Sequence, residues 1–166
     1  MEHTPLLTPE GLARSMCQDL SLAPPFTARV FADAVERRWH LRIVTEPVPN
    51  GEYTTGWCMV HDASYTIYYY AGGSVVQRER IVFHELAHIV MGHVRGEQST
   101  AVMRKGIEHL HQERIVECLQ QEQAVEQVAR ALVAYGILGD PPPGHLHLPV
   151  SPLSAYGQFI DSLLAR

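Results

Sequence analysis

Ten histidines occur in the chain, and two of them stand where they could share a metal ion. His84 and His88 bracket Glu85 in the run His84-Glu85-Leu86-Ala87-His88. On a helix, residues four apart differ by about 40° in azimuth and lie one turn apart, so both imidazoles reach toward one point. Two ligands of a tetrahedral zinc ion need that arrangement. Glu85 lies about 100° round from His84. It can flank the ion without ligating it, where a general base must stand to take a proton from metal-activated water. Ile81, Val82, Leu86, Ala87 and Ile89 surround the motif. The two histidines therefore border a core, where unpaired polar groups are costly.

His93 comes five residues after His88, one short of the last histidine in the HExxHxxGxxH pattern. Gly92 is placed to end the helix before it. That makes His93 a helix-terminus histidine, favoured by the negative end of the helix dipole, and keeps it out of the expected ligand set.

A hydrolytic zinc site needs a third protein ligand and one open position. A later helical run offers Glu113, Glu117, Glu122 and Glu126. Its apolar stripe is Ile115, Cys118, Leu119, Val125, Ala129 and Leu132. Glu122 falls on the stripe, three residues from both Leu119 and Val125, where a buried carboxylate needs a cation. Glu113 and Glu117 fall on a polar face. Glu122 is therefore the expected third ligand. Glu126, one turn on, could accept the N–H of a ligating histidine and fix its tautomer.

Helix and strand signals supply the elements that must hold these residues. Thr8 caps a helix with Pro9 at its first position, running to about Leu20, and a second helix covers 27–39. These N-terminal helices, 8–39, lead into a strand segment, 41–71, with β-type runs at 41–44 (ending at Pro47), 55–60 and 65–70. Ser74, with Gln77 three residues on, forms a capping box for the motif helix, 74–92. The third-ligand helix covers 108–135, with Gly136 and Gly139 as its stop. A proline-rich loop and a short helix occupy 140–166. The order predicts one α+β domain over 1–166, with helices packed on a small, mostly antiparallel sheet.

Composition narrows the function classes. Apolar residues are 46% and charged residues 19% of the 166, enough for a core and too few charges for a disordered chain. A net charge of −5, with Lys105 the sole lysine, argues against a general nucleic-acid surface. A helix-turn-helix reading of the first two helices meets a poor turn at Ala23-Pro24-Pro25 and no basic recognition face. Cys17, Cys58 and Cys118 are widely spaced and form no CxxC pair. Free thiols, the absence of a signal-peptide pattern and the lack of a run of roughly 20 apolar residues lead to the expectation of a cytoplasmic protein.

The stretch His84-Glu85-Leu86-Ala87-His88-Ile89-Val90-Met91-Gly92-His93 resembles the HELGHxxLGH segment of ImmA/IrrE-type zinc metallo-endopeptidases. In that family a later helix carries a pattern like ExxA[ND]xxAxxL, whose glutamate is taken as the third zinc ligand. Glu122, Ala129 and Leu132 match it, whereas Val125 and Glu126 depart from it and the usual Leu-Met-Pro ending is replaced by Val133-Ala134-Tyr135-Gly136. The resemblance spans roughly 26–135. It implies a zincin-like fold, a gluzincin-like ligand set of His84, His88 and Glu122 around Zn2+, and an intracellular protein substrate. Characterised family members act on helix-turn-helix repressors in stress, phage or mobile-element circuits.

The expected chemistry is peptide hydrolysis, with Glu85 taking a proton from water and delivering it to the leaving amine. Residues 65–71 are the expected edge for an extended peptide. Tyr68, Tyr70, His61, His109 and His111 are candidates to stabilise the oxyanion. The alternative is a non-catalytic zinc-binding sensor or regulatory module that binds a partner protein. Its site would be closed by a fourth ligand such as His93, His109 or His111.

Overall fold

The computed structural model describes residues 8–49, 56–62, 64–94 and 112–139, and of residues 112–118 and 138 the backbone alone. Among the described residues, four helices and three strands follow in the order α1 (Pro9–Asp19), α2 (Ala28–Trp39), β1 (Arg42–Val48), β2 (Trp57–His61), β3 (Ser64–Tyr70), α3 (Val75–Val90) and α4 (Gln112–Leu138). The expected final helix, and residues 108–111 of the expected third-ligand helix, lie outside the described residues.

Local chemistry sets the helix starts. Thr8 accepts a hydrogen bond from the Gly11 amide, and Thr27 accepts one from Val30, the side-chain bonds that satisfy first-turn donors. A distant residue adds to the second cap: Glu79 of α3 accepts the Ala28 amide at 2.6 Å, tying α2 to α3. The capping box at Ser74 and Gln77 forms as expected, with both reciprocal bonds present.

The sheet has the order β1-β3-β2, with β1 parallel and β2 antiparallel to β3. The sheet is thus mixed, not mostly antiparallel, because β3 returns between the two earlier strands. This placement also takes residues 65–68 out of the expected peptide edge at 65–71, since β3 is paired on both sides over Ser64–Tyr68. β1 runs through Pro47 instead of stopping there. An edge strand tolerates the missing N–H that a central strand would not.

One face of the sheet carries Ile43, Cys58, Val60 and Ile67 into a core shared with Phe31 and Val35 of α2, Phe83 and Leu86 of α3, and Val125, Ala129 and Leu132 of α4. α1 packs along α4. Phe26, between α1 and α2, meets Phe31, Phe83 and Tyr135 with ring centroids 6.1–6.2 Å apart.

α4 passes Gly136 and ends at Leu138, with Gly139 at φ 78°. Gly136 and Gly139 are the expected stop, and Gly139 fills that place while Gly136 does not. Gly136 instead sits inside the helix, where a Cβ would lie 2.9 Å from the Phe26 carbonyl oxygen. The Phe26 amide donates to the Gly136 carbonyl at 2.9 Å. This glycine serves close backbone approach, and Gly139 alone supplies the left-handed residue that ends a helix. Among the described residues no helix is long and apolar enough to cross a membrane.

Candidate metal centre

α3 and α4 face each other through two polar stripes. Arg80, His84 and His88 recur at four-residue steps on α3, and Glu122, Glu126 and Arg130 do so on α4. Spacing of four keeps each set on one helix face. The stripes meet in reverse order: His88 with Glu122, His84 with Glu122 and Glu126, Arg80 with Glu126.

At one end of this seam, His84, His88 and Glu122 converge. His88 Nε2 lies 3.2 Å from His84 Nε2 and 3.1 Å from Glu122 Oε1, and His84 Nε2 lies 3.4 Å from Glu122 Oε2. The candidate ligand atoms of the three residues all lie within 4.8 Å of one another, a group that could hold a metal ion. Burial is deep: His88 is 1% exposed, and the side chains of His84 and Glu122 are 16% and 13% exposed. Two ring nitrogens 3.2 Å apart can share at most one proton. A cation between them and the carboxylate would satisfy all three, so the donor set fits such an ion on its own chemistry.

Glu126 stands at the Nδ1 edge of His84. Glu126 Oε2 lies 3.2 Å from His84 Nδ1, while Glu126 Oε1 takes Arg130 at 2.8 Å and pairs with Arg80. Burial alone would raise the Glu126 carboxyl, but the His84 hydrogen bond and the two guanidinium groups outweigh it and hold the pKa at about 2. Glu126 is therefore an anion that accepts the His84 Nδ1–H, so that in the neutral ring Nε2 carries the lone pair. For His84 itself, burial works against the charged form. Hydrogen bonds to Glu122 and Glu126, with the charge of Glu85, overcome that and push its pKa up to about 9. Three carboxylates round one imidazole make a place that favours positive charge.

Glu85 is 1% exposed and stands outside the converging group. Gly56, just before β2, lies beside it. A Cβ on Gly56 would lie 2.6 Å from Ile81 Cγ2, 2.8 Å from the Tyr68 carbonyl oxygen and 3.4 Å from Glu85 Cγ. Glycine lets the start of β2 close onto α3 beside the glutamate.

Of the oxyanion candidates, Tyr68 and Tyr70 alternate with the buried Ile67 and so occupy the sheet face opposite the core. Tyr68 stacks there on Trp57 at 4.9 Å. Neither ring is on the α3 side. His61 ends β2, five residues from Gly56, roughly 16 Å along an extended strand. His109 and His111, and the side chains of Glu113 and Glu117, lie outside the described residues.

His93 departs from the dipole reading. Its ring turns back on α3, with Nδ1 3.4 Å from His88 Nδ1. Burial first, and then neighbouring His88, lower its pKa, the reverse of a histidine kept charged by a helix end. Arg80, Arg130, Gly56 and this contact of His93 were not foreseen. The four-residue steps to His84 and Glu126 could have flagged the arginines. No local signal marks Gly56.

Compared with models of known protein families and with curated proteins, the chain matches none.

Proposed function

We propose that this chain is a zinc-dependent metallo-endopeptidase, with His84, His88 and Glu122 as ligands and Glu85 as general base. The observation that carries the reading is the convergence of two imidazole Nε2 atoms and the Glu122 carboxylate, with Glu85 next to His84 on α3. A tetrahedral zinc with ligands at about 2.0–2.1 Å has ligand atoms roughly 3.3 Å apart. The Nε2–Nε2 separation of 3.2 Å is close to that value, and the two nitrogens meet different oxygens of Glu122, at 3.1 and 3.4 Å.

Bound zinc would activate water and polarise the scissile carbonyl. The protein's part is acid–base and positional. Glu85 receives the proton from the attacking water and passes it to the departing amine. Glu126, braced by Arg80 and Arg130, holds His84 in its ligating tautomer. With β3 enclosed, the outer edge of β2 is the better seat for an extended peptide, since among the described residues β2 pairs only with β3 and Gly56 brings its start to Glu85.

The resemblance of the two helix motifs to ImmA/IrrE-type enzymes supports a helix-turn-helix repressor as substrate, in a stress, phage or mobile-element circuit. The alternative of a closed, non-catalytic site loses one of its proposed fourth ligands. His93 faces the Nδ1 of His88, not the Nε2 side where the other donors meet.

The test is cleavage of a co-encoded helix-turn-helix protein by wild type and by Glu85→Gln. The variant should keep about one zinc per chain and lose roughly 100- to 10,000-fold in rate, the usual range for a general base. Undiminished cleavage by the zinc-loaded variant would remove Glu85 from the mechanism.

A further inference from the structure

We propose that His93 is a positioning residue for the metal centre. Its Nδ1 accepts a hydrogen bond from the His88 Nδ1–H and keeps the His88 Nε2 lone pair turned toward His84 and Glu122. This rests on the metal-centre reading and adds to it the means by which the second histidine ligand is oriented.

A histidine that ligates through one ring nitrogen is generally held by a hydrogen bond from the other, which sets both tautomer and ring angle. Glu126 does this for His84. For His88 the far nitrogen meets His93 Nδ1 at 3.4 Å, with the rings edge-on at a centroid distance of 5.4 Å. His88 is 1% exposed, so its ring depends on protein partners. A neutral imidazole carries one proton. If His88 Nε2 is the ligand atom, its proton sits on Nδ1. His93 Nδ1 must then be the bare acceptor, with its own proton on Nε2.

The backbone delivers this contact. Gly92 has φ 72°. Its amide donates to the Ile89 carbonyl at 3.0 Å, and the His93 amide donates to the His88 carbonyl at 2.9 Å. These are the paired bonds of a Schellman turn, which reverses the chain over the last helical turn. His93 thus caps the carbonyl of the same residue whose ring it meets. The helix stop and the ligand's orientation are one device, available because glycine at position 92 can adopt the left-handed conformation.

The experiment is Zn2+ competition against a chromophoric chelator on the full chain, for wild type, His93→Phe and His93→Asn, with ring-nitrogen NMR of the zinc-loaded forms. Asparagine puts a carbonyl oxygen near the position of Nδ1, whereas phenylalanine keeps the ring and removes the acceptor. His93→Phe should bind zinc roughly 10- to 100-fold more weakly. His93→Asn should return affinity to within a few-fold of wild type, and wild-type His88 should carry its proton on Nδ1. A folded His93→Phe that binds as tightly as wild type would overturn the proposal. So would a His88 proton on Nε2, or a His93 ring that itself ligates zinc. If His93→Phe does not fold, the asparagine variant and the wild-type ring spectrum still decide. Folded wild type that takes up no zinc would instead defeat the metal-centre reading itself.

Discussion

Cys17 and His84 both lie in the interior, and their surroundings raise both pKa values, which keeps the thiol neutral and favours the charged imidazole. Cys17 is fully buried among apolar neighbours, and burial pushes its thiol up to about 12 from 9.0. The unfolded chain therefore gives up that proton first. The stability linked to this group is complete below pH 9 and is lost as pH rises toward 12. Denaturant titrations across that window should show a steeper decline for wild type than for Cys17→Ala. Equal slopes would contradict the assignment. His84, ringed by Glu122, Glu126 and Glu85, is instead driven toward positive charge. The reason Glu122 could be picked from sequence is visible here. A carboxylate in phase with Leu119, Val125 and Ala129 must face the core, and at that point the core presents two histidines. His93 could not be read the same way. Its position depends on a reversal at Gly92 that takes it off the helical phase, so azimuth arguments do not apply to it.

At the scale of the elements, caps and periodicity were legible where the cause is local. Ser74 and Gln77, Thr8 and Pro9, and the alternation of Cys58, Val60 and Ile67 act within a few residues. Strand order was not legible, because nothing in residues 64–70 records that two earlier strands will flank them. The same holds for Gly136. A glycine near a helix end reads as a stop, yet here the Phe26 backbone needs the space. Gly136→Ala tests that cause. Helix propensity alone would favour alanine by about 1 kcal/mol. The new methyl would instead meet the Phe26 carbonyl oxygen at 2.9 Å and its ring at 3.0 Å. That carbonyl cannot withdraw easily, since the adjoining Phe26 amide is bonded to Gly136. Overpacking of this kind costs about 1–3 kcal/mol, so chemical denaturation should show a net loss of stability. A stabilised Gly136→Ala would mean that the chain relaxes freely there.

Across the whole molecule, the proposed centre joins two helices far apart in sequence. α3 brings Arg80, His84 and His88, and α4 brings Glu122, Glu126 and Arg130. Between them they form the floor of the core that also receives the sheet through Phe83, Leu86 and Ile67. A ligand bound by both helices in the folded state alone must stabilise the fold by mass action. At a free zinc concentration of 100 times Kd the gain is about 2.7 kcal/mol. For a domain of this size that corresponds to several degrees in Tm. Added zinc should raise the melting temperature, and a chelator should reverse it. A Tm that does not respond to saturating zinc would deny the clamp.

The central claim is that His84, His88 and Glu122 together hold one ion, and zinc content per folded chain tests it most directly. Wild type purified with zinc and freed of excess should carry about one equivalent. Glu122→Ala, folded by circular dichroism, should carry little, while Glu117→Ala should match wild type. Retention of a full equivalent by Glu122→Ala, or its loss from Glu117→Ala instead, would contradict the account.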